Sequence, residues 1–188
     1  HYVPKGVILG VMPWNFPFWQ VFRYAAPTLM AGNVTLLKHA PNVCGCSLAI
    51  ADIFKQAGAP EGVFQALVID TVVVEKLLAS NIVQAVTLTG SERAGSSVAE
   101  IAGRCIKKSL LELGGSDALI VLPDADLQKA ATVALQSRLL NAGQSCIGSK
   151  RFIVVKEAMD DFLHYLQEGM KKYTQGDPLE TGITTGPL

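Results

Sequence analysis

At 188 residues the chain is long enough for one domain, or for one and part of another. Hydrophobic residues make up 49% and charged residues only 17%, against a usual charged share of about 25%, so parts of its surface are expected to be buried against a further domain or subunit. Basic and acidic side chains number 16 each, which argues against nucleic acid or an anionic membrane as partner, and the apolar runs Val7–Met12 and Ala118–Leu122 fall far below the ~20 residues of a membrane span.

In chain order, the start His1-Tyr2-Val3-Pro4-Lys5-Gly6 has no initiator Met and no signal pattern, and reads as an excised segment. Apolar runs of strand length then alternate with helical patterns. The runs predict strands near 6–12, 33–38, 63–69, 84–89, 107–113, 118–122 and 150–155. Helices are predicted over 18–31, 43–57, 72–80, 93–104, 125–141 and 157–173. Turn residues punctuate the connections, as in Gly32-Asn33, Gly58-Ala59-Pro60 and Pro123-Asp124-Ala125-Asp126. The expected fold class is therefore α/β, an open parallel sheet with flanking helices, followed by the start of a second α/β domain. The division is expected near 142–150, giving domains 1–141 and 142–188.

Four cysteines (Cys44, Cys46, Cys105 and Cys146) include no C-x-x-C pair, and Cys44 and Cys46 are too close for an ordinary bridge within one helix. A reduced, cytoplasmic chain is the expectation. The histidines His1, His39 and His164 fit no metal-ligand spacing, so no metal is expected.

Several segments carry chemistry. Cys146 lies in the small-residue run Asn141-Ala142-Gly143-Gln144-Ser145-Cys146, where a thiol is neither core filler nor half of a motif pair. Asn15 lies between two prolines in Pro13-Trp14-Asn15-Phe16-Pro17; a stiff backbone suits a fixed amide donor for an oxyanion, or is merely a rigid turn. Glu112, at a strand end before Gly114-Gly115, is either a general base or a solvated carboxylate. Lys38 ends a strand at the carboxyl edge where α/β sheets bind ligands, and is either a ligand contact or an exposed lysine. Gly90-Ser91-Glu92-Arg93-Ala94-Gly95 opens a helix after a strand. It suits a phosphate or is a plain capped turn, and Ser96 in place of a P-loop lysine disfavours nucleotide hydrolysis. Arg23, the only charge in the apolar stretch 18–31, needs an anion: a substrate carboxylate or an Asp or Glu of the fold. Cys44-Gly45-Cys46 reads as small-residue packing at a helix start.

Taken in order, PWNFP at 13–17, the Lys38 strand, TGS at 89–91, LELGG at 111–115 and NAGQSC at 141–146 resemble the aldehyde dehydrogenase family over essentially the whole chain. Residues 8–15, 37–42 and 114–117 look most like its bacterial succinate-semialdehyde dehydrogenase branch. The resemblance implies an oxidoreductase with a Rossmann-like cofactor domain. Cys146 would be the thiolate nucleophile, Asn15 and the Cys146 N–H would hold the oxyanion, and Glu112 would activate water on the acyl-enzyme. Met12, Pro13, Trp14, Lys38, Thr89, Gly90, Ser91, Leu113 and Gly114 would contact NAD or NADP. Arg23 would meet the distal carboxylate of the substrate. Pro41 stands where NAD-preferring relatives often carry Glu, so NADP joins NAD as a cofactor. A small carboxylated aldehyde and a homo-oligomeric full-length protein are the implied partners. Two alternatives stand beside this reading: a cofactor-binding module without catalysis, and an enzyme that passes its acyl group to coenzyme A. A cysteine hydrolase is weaker, because no histidine is placed by a motif to pair with Cys146.

Overall fold

Strands rich in Val, Ile and Leu that alternate with helices can satisfy their backbones as a parallel sheet covered on both faces. The computed structural model, which describes residues 1 and 3–188, has that form. Its contacts divide it into two units, His1–Leu113 and Gly114–Leu188.

The first unit runs β1 (Val7–Met12), α1 (Trp19–Met30), β2 (Val34–His39), α2 (Cys44–Gln56), β3 (Phe64–Ala66), α3 (Thr71–Ala79), β4 (Val83–Thr89), α4 (Glu92–Arg104) and β5 (Lys108–Glu112). The strands are all parallel, in the order β3-β2-β1-β4-β5. The chain builds outward from β1 through β2 to β3, then returns to lay β4 on the other side of β1. Strand order therefore reverses between β1 and β4, and ligands of open α/β sheets bind at the carboxyl ends beside such a reversal.

Alternation along each strand sorts side chains between two cores. Leu9, Val86 and Leu88 pack with Val74 and Leu78 of α3 and Val98 and Ala102 of α4. Met12 and Leu37 pack on the opposite face with Val21, Tyr24 and Ala25 of α1 and Ile50 of α2. A fully buried aliphatic side chain of this kind contributes about 1.5–3 kcal/mol. Gly10 has a steric reason to be glycine. A Cβ there would lie 2.2 Å from Cζ of Tyr24, whose ring crosses β1 to hydrogen-bond Thr35 Oγ1 at 3.2 Å.

The second unit has β6 (Asp117–Val121) parallel to β7 (Ser149–Val154), with α5 (Leu127–Leu139) between them in sequence and α6 (Met159–Met170) after. Val121, Ala131, Ala134 and Phe162 form its core. Asp126 caps α5 by accepting the N–H of Lys129 at 3.1 Å. No helix among the described residues is long and apolar enough to cross a membrane.

The seven strands and six helices expected from the sequence are all present. Several boundaries differ by a few residues, and three of the differences have a plain physical reason. β3 covers 64–66, not 63–69, because it is an edge strand whose pairing with β2 ends at Leu37↔Ala66, plus one further bond from Leu67 N–H to Leu37 O. α5 stops at Leu139 because Asn141 and Ala142 take left-handed backbone angles. The units part between Leu113 and Gly114: β6 and α5, grouped with the first domain by the sequence reading, pack with β7 and α6.

Candidate active site

Lys38 and Glu112 are placed at the carboxyl edge of the sheet by strand register. Val11 of β1 lies between Lys38 of β2 and Leu88 of β4, and Thr89 of β4 pairs with Glu112 of β5. Met12 ends β1, and the turn with Pro13, Trp14 and Asn15 follows it. Gly90 and Ser91 follow β4, and Leu113 follows Glu112. Apart from Arg23, the sequence candidates of residues 12–113 thus share one edge. Gly114 and Cys146 belong to the second unit.

Lys38 is buried, with 5% of its surface exposed, which removes the reading of an exposed strand-end lysine. It lines a cavity of about 470 Å³ with His39, Pro41, Cys44, Asp70 and Thr71 among its walls. Among the described residues no hydrogen bond or ion pair engages its Nζ. Asp70 is held below the usual carboxylate range, chiefly by the Thr71 hydroxyl, which donates at 3.0 Å, and the Thr71 N–H, with a smaller pull from the Lys38 charge. An unengaged ammonium beside an ionised carboxylate fits a group bearing hydroxyls, since the lysine donates and the carboxylate accepts. The residues present therefore fit the ribose of a dinucleotide.

His39 was missed as a contributor. Its ring is buried, with Nδ1 lying 3.0 Å from the Ala40 backbone nitrogen and 3.3 Å from the Met12 carbonyl oxygen. Its Nε2 donates to the carbonyl of Pro17 at 2.9 Å. The rigid Pro13–Pro17 turn, and Asn15 with it, is therefore tied to the end of β2. Nothing in the sequence pattern signals this bond, because it depends on which strand lies beside β1.

The turn after β4 has the form of a capped turn. Ser91 caps α4, its Oγ accepting the N–H of Ala94 at 3.2 Å, and the Gly90 N–H donates to Glu112 O at 2.9 Å. The helix start at Glu92 lies beside the strand reversal, so its unpaired amides suit an anion.

Arg23 on α1 finds its partners on the same sheet face. Its Nη2 donates to Thr89 Oγ1 at 3.3 Å and lies 3.7 Å from Oε2 of Glu112, with side-chain exposures of 37% and 52%. Arg23, Gln20, Thr89 and Glu112 line a cavity of about 690 Å³ between α1 and strands β4 and β5. Glu112 is thus one anion that Arg23 meets within the fold, through a long and half-exposed contact.

In the second unit, Cys146 is half-buried and, like the other three cysteines, a free thiol. Its loop is set by three successive left-handed residues, Asn141 (φ 53°), Ala142 (φ 56°) and Gly143 (φ 79°). Such angles cost a non-glycine residue about 1–3 kcal/mol and cluster where a loop is functionally constrained. Lys150 donates to the carbonyl of Cys146 at 3.2 Å and to that of Gly115 at 2.5 Å. A Cβ on Gly115 would come within 3.3 Å of the Cys146 carbonyl oxygen. The second glycine of LELGG is therefore needed for close backbone approach to the thiol loop. No group of His, Cys, Asp and Glu among the described residues could hold a metal ion.

A parallel sheet with its strand reversal at a glycine turn, a buried lysine and a helix start defines a dinucleotide-binding type of α/β protein. The chain belongs to the aldehyde dehydrogenase family, whose model matches residues 1–188. It is 57% identical over 187 residues to a Synechocystis sp. protein named "Probable succinate-semialdehyde dehydrogenase, NADP(+)", covering 100% of this chain and 41% of that one. A Mycobacterium avium succinate-semialdehyde dehydrogenase, NADP(+), is 53% identical over 187 residues, with 100% and 40% covered. The crystal structure of succinic semialdehyde dehydrogenase from Streptococcus pyogenes in complex with NADP+ superposes with a TM-score of 0.96 at 44% identity, over 99% of this chain and 41% of that one. The chain spans about 40% of the length of the curated relatives it matches.

Proposed function

We propose that the protein carrying this chain oxidises a short carboxylated aldehyde, succinate semialdehyde, to its acid, with NAD or NADP as cofactor. The observation that carries the reading is the Arg23 guanidinium, a half-exposed cation lining a 690 Å³ cavity with Thr89 and Glu112. It is positioned to take a carboxylate, while the adjacent Glu112 is a base. The names of the relatives support the same substrate and cofactor.

Each residue has a stated task. The Cys146 thiolate adds to the aldehyde carbon, and the side-chain amide of Asn15 donates to the oxygen that becomes negative. The His39 bond to Pro17 keeps that amide in place. Lys38 and Asp70 hold the adenosine ribose, and the Gly90-Ser91 turn takes the pyrophosphate. The oxidised nicotinamide, when bound, supplies the acceptor for the hydride leaving the aldehyde carbon. Glu112 then takes a proton from water as its oxygen adds to the acyl carbon, and the Cys146 thiolate departs. A base for water is needed only by the hydrolytic route, so Glu112 disfavours transfer to coenzyme A.

In the full-length protein, Cys146→Ala is expected to abolish aldehyde oxidation while fluorescence titration still shows cofactor binding; turnover near wild type would sink the nucleophile assignment. Glu112→Gln should give a burst of one reduced cofactor per site followed by slow release. An unchanged steady-state rate would remove the base role.

A further inference from the structure

We propose that Arg23 is shared between Glu112 and the substrate, so that a substrate carboxylate binding to Arg23 releases the base that completes its own turnover. This inference rests on the roles proposed above for Arg23 and Glu112. One guanidinium nitrogen, Nη2, serves two acceptors: Thr89 Oγ1 at 3.3 Å and Glu112 Oε2 at 3.7 Å. The contact with Glu112 is long and half-exposed. Such pairs bias an equilibrium by no more than about fivefold, the equivalent of ~1 kcal/mol. An incoming carboxylate can form two short, charge-assisted bonds to the guanidinium fork and displaces so weak a partner. Thr89 is uncharged and keeps its bond, so the guanidinium stays anchored to the end of β4 through the exchange.

The consequence lies with Glu112. While paired, its side chain is drawn along the sheet face toward α1 and lines the cavity with Arg23. Once the substrate takes Arg23, the side chain regains its rotamers and can reach a water. Carboxylated aldehydes would then gain twice from the same arginine, in binding and in the rate of acyl-enzyme hydrolysis. An uncharged aldehyde forms its acyl-enzyme with Glu112 still paired.

The test separates the two gains by cutting the substrate in half. Propanal and formate together carry the carbons of succinate semialdehyde, with the carboxylate supplied in trans. The hydrolysis rate of the propanoyl-enzyme is measured by stopped flow in the full-length protein with its cofactor, with and without formate. Formate is expected to accelerate hydrolysis up to about fivefold in the wild type. In Arg23→Ala it should have no effect, and hydrolysis without formate should already run at the stimulated rate. The wild-type arm needs no variant, so it stands even if Arg23→Ala fails to fold. A wild-type rate indifferent to formate, or an Arg23→Ala rate at or below the unstimulated one, overturns the proposal. The absence of any propanoyl-enzyme burst would instead overturn the Cys146 chemistry on which it rests.

Discussion

Gly10 is the point at which the helix bearing Arg23 is set against the sheet, and Gly10→Ala tests that dependence. The new methyl would sit 2.2 Å from Cζ, 2.3 Å from the hydroxyl oxygen and 2.7 Å from Cε1 of Tyr24. The Tyr24 ring is buried between α1 and β1, so it cannot swing into solvent without emptying its site. Overpacking of this kind costs about 1–3 kcal/mol. Displacing the ring also breaks its hydrogen bond to the fully buried Thr35, adding about 1–2 kcal/mol. The expected loss is about 2–5 kcal/mol, a large part of the stability of a typical domain. Both tryptophans, Trp14 and Trp19, lie in the first unit, so tryptophan fluorescence during urea unfolding reports it selectively. The control is Tyr24→Leu, which lacks the three clashing atoms. In that background Gly10→Ala should cost less than about 0.5 kcal/mol. An equal cost in both backgrounds would refute the steric account, and with it the claim that Gly10 sets the position of α1.

Two further outcomes follow from named groups. Burial raises the Tyr24 phenol far above its ordinary value of 10.0, so the fold holds it neutral. Its contribution is complete below pH 10 and falls as pH rises further, when the unfolded chain ionises and the folded one does not. Tyr24→Phe should therefore be about 1 kcal/mol less stable than wild type at pH 7, with the gap closing by pH 11; a constant gap in urea midpoint would contradict the burial argument. Asp70→Asn removes the carboxylate that shares the Lys38 cavity. It should raise affinity for NADP relative to NAD a few-fold in titrations at low ionic strength, and the change should shrink in ~1 M salt, where screening acts over ~3 Å. An unaltered ratio would separate Asp70 from the ribose site.

The elements were legible in the sequence because each carries its own period and punctuation. Val7–Met12 and residues 84–89 are strand-length apolar runs, and the Ser91 turn read as a capped helix start is one, with Ser91 accepting from the Ala94 N–H. The partners were not legible. Arg23 had two candidate anions, and only the register Thr89↔Glu112 shows that a carboxylate of β5 faces α1. His39 gave no local signal, since its acceptor is the Pro17 carbonyl, 22 residues away in sequence. The contacts divide the chain at a different place from the sequence reading for a related reason. Nothing in Gly114-Gly115 itself signals a division, whereas β6 pairs with β7 and both lie in the unit that starts at Gly114.

Strand alternation also explains why the two halves of the first unit's edge differ in chemistry. Along β2, Leu37 and His39 point to the α1 and α2 face, so Lys38 between them points to the α3 and α4 face, toward Asp70 at the start of α3. Along β5, Leu111 packs toward α4 and Glu112 therefore faces α1, where Arg23 and Thr89 lie. A ligand that engaged Lys38 and also served the Arg23 and Glu112 cavity would have to cross the carboxyl edge from one sheet face to the other. The reversal between β1 and β4 is where strand order opens that passage, with the glycine turn at Gly90 on one side and the Pro13–Pro17 turn on the other. On the proposed function this divides the labour of the edge. The β2 side grips the adenosine end of the dinucleotide, the reversal admits its pyrophosphate, and the β5 side receives the aldehyde. A one-residue register slip in β2 would turn Lys38 into the α1 core and Leu37 toward the ribose site, so the division depends on the parallel pairing Val11↔Lys38 that fixes both.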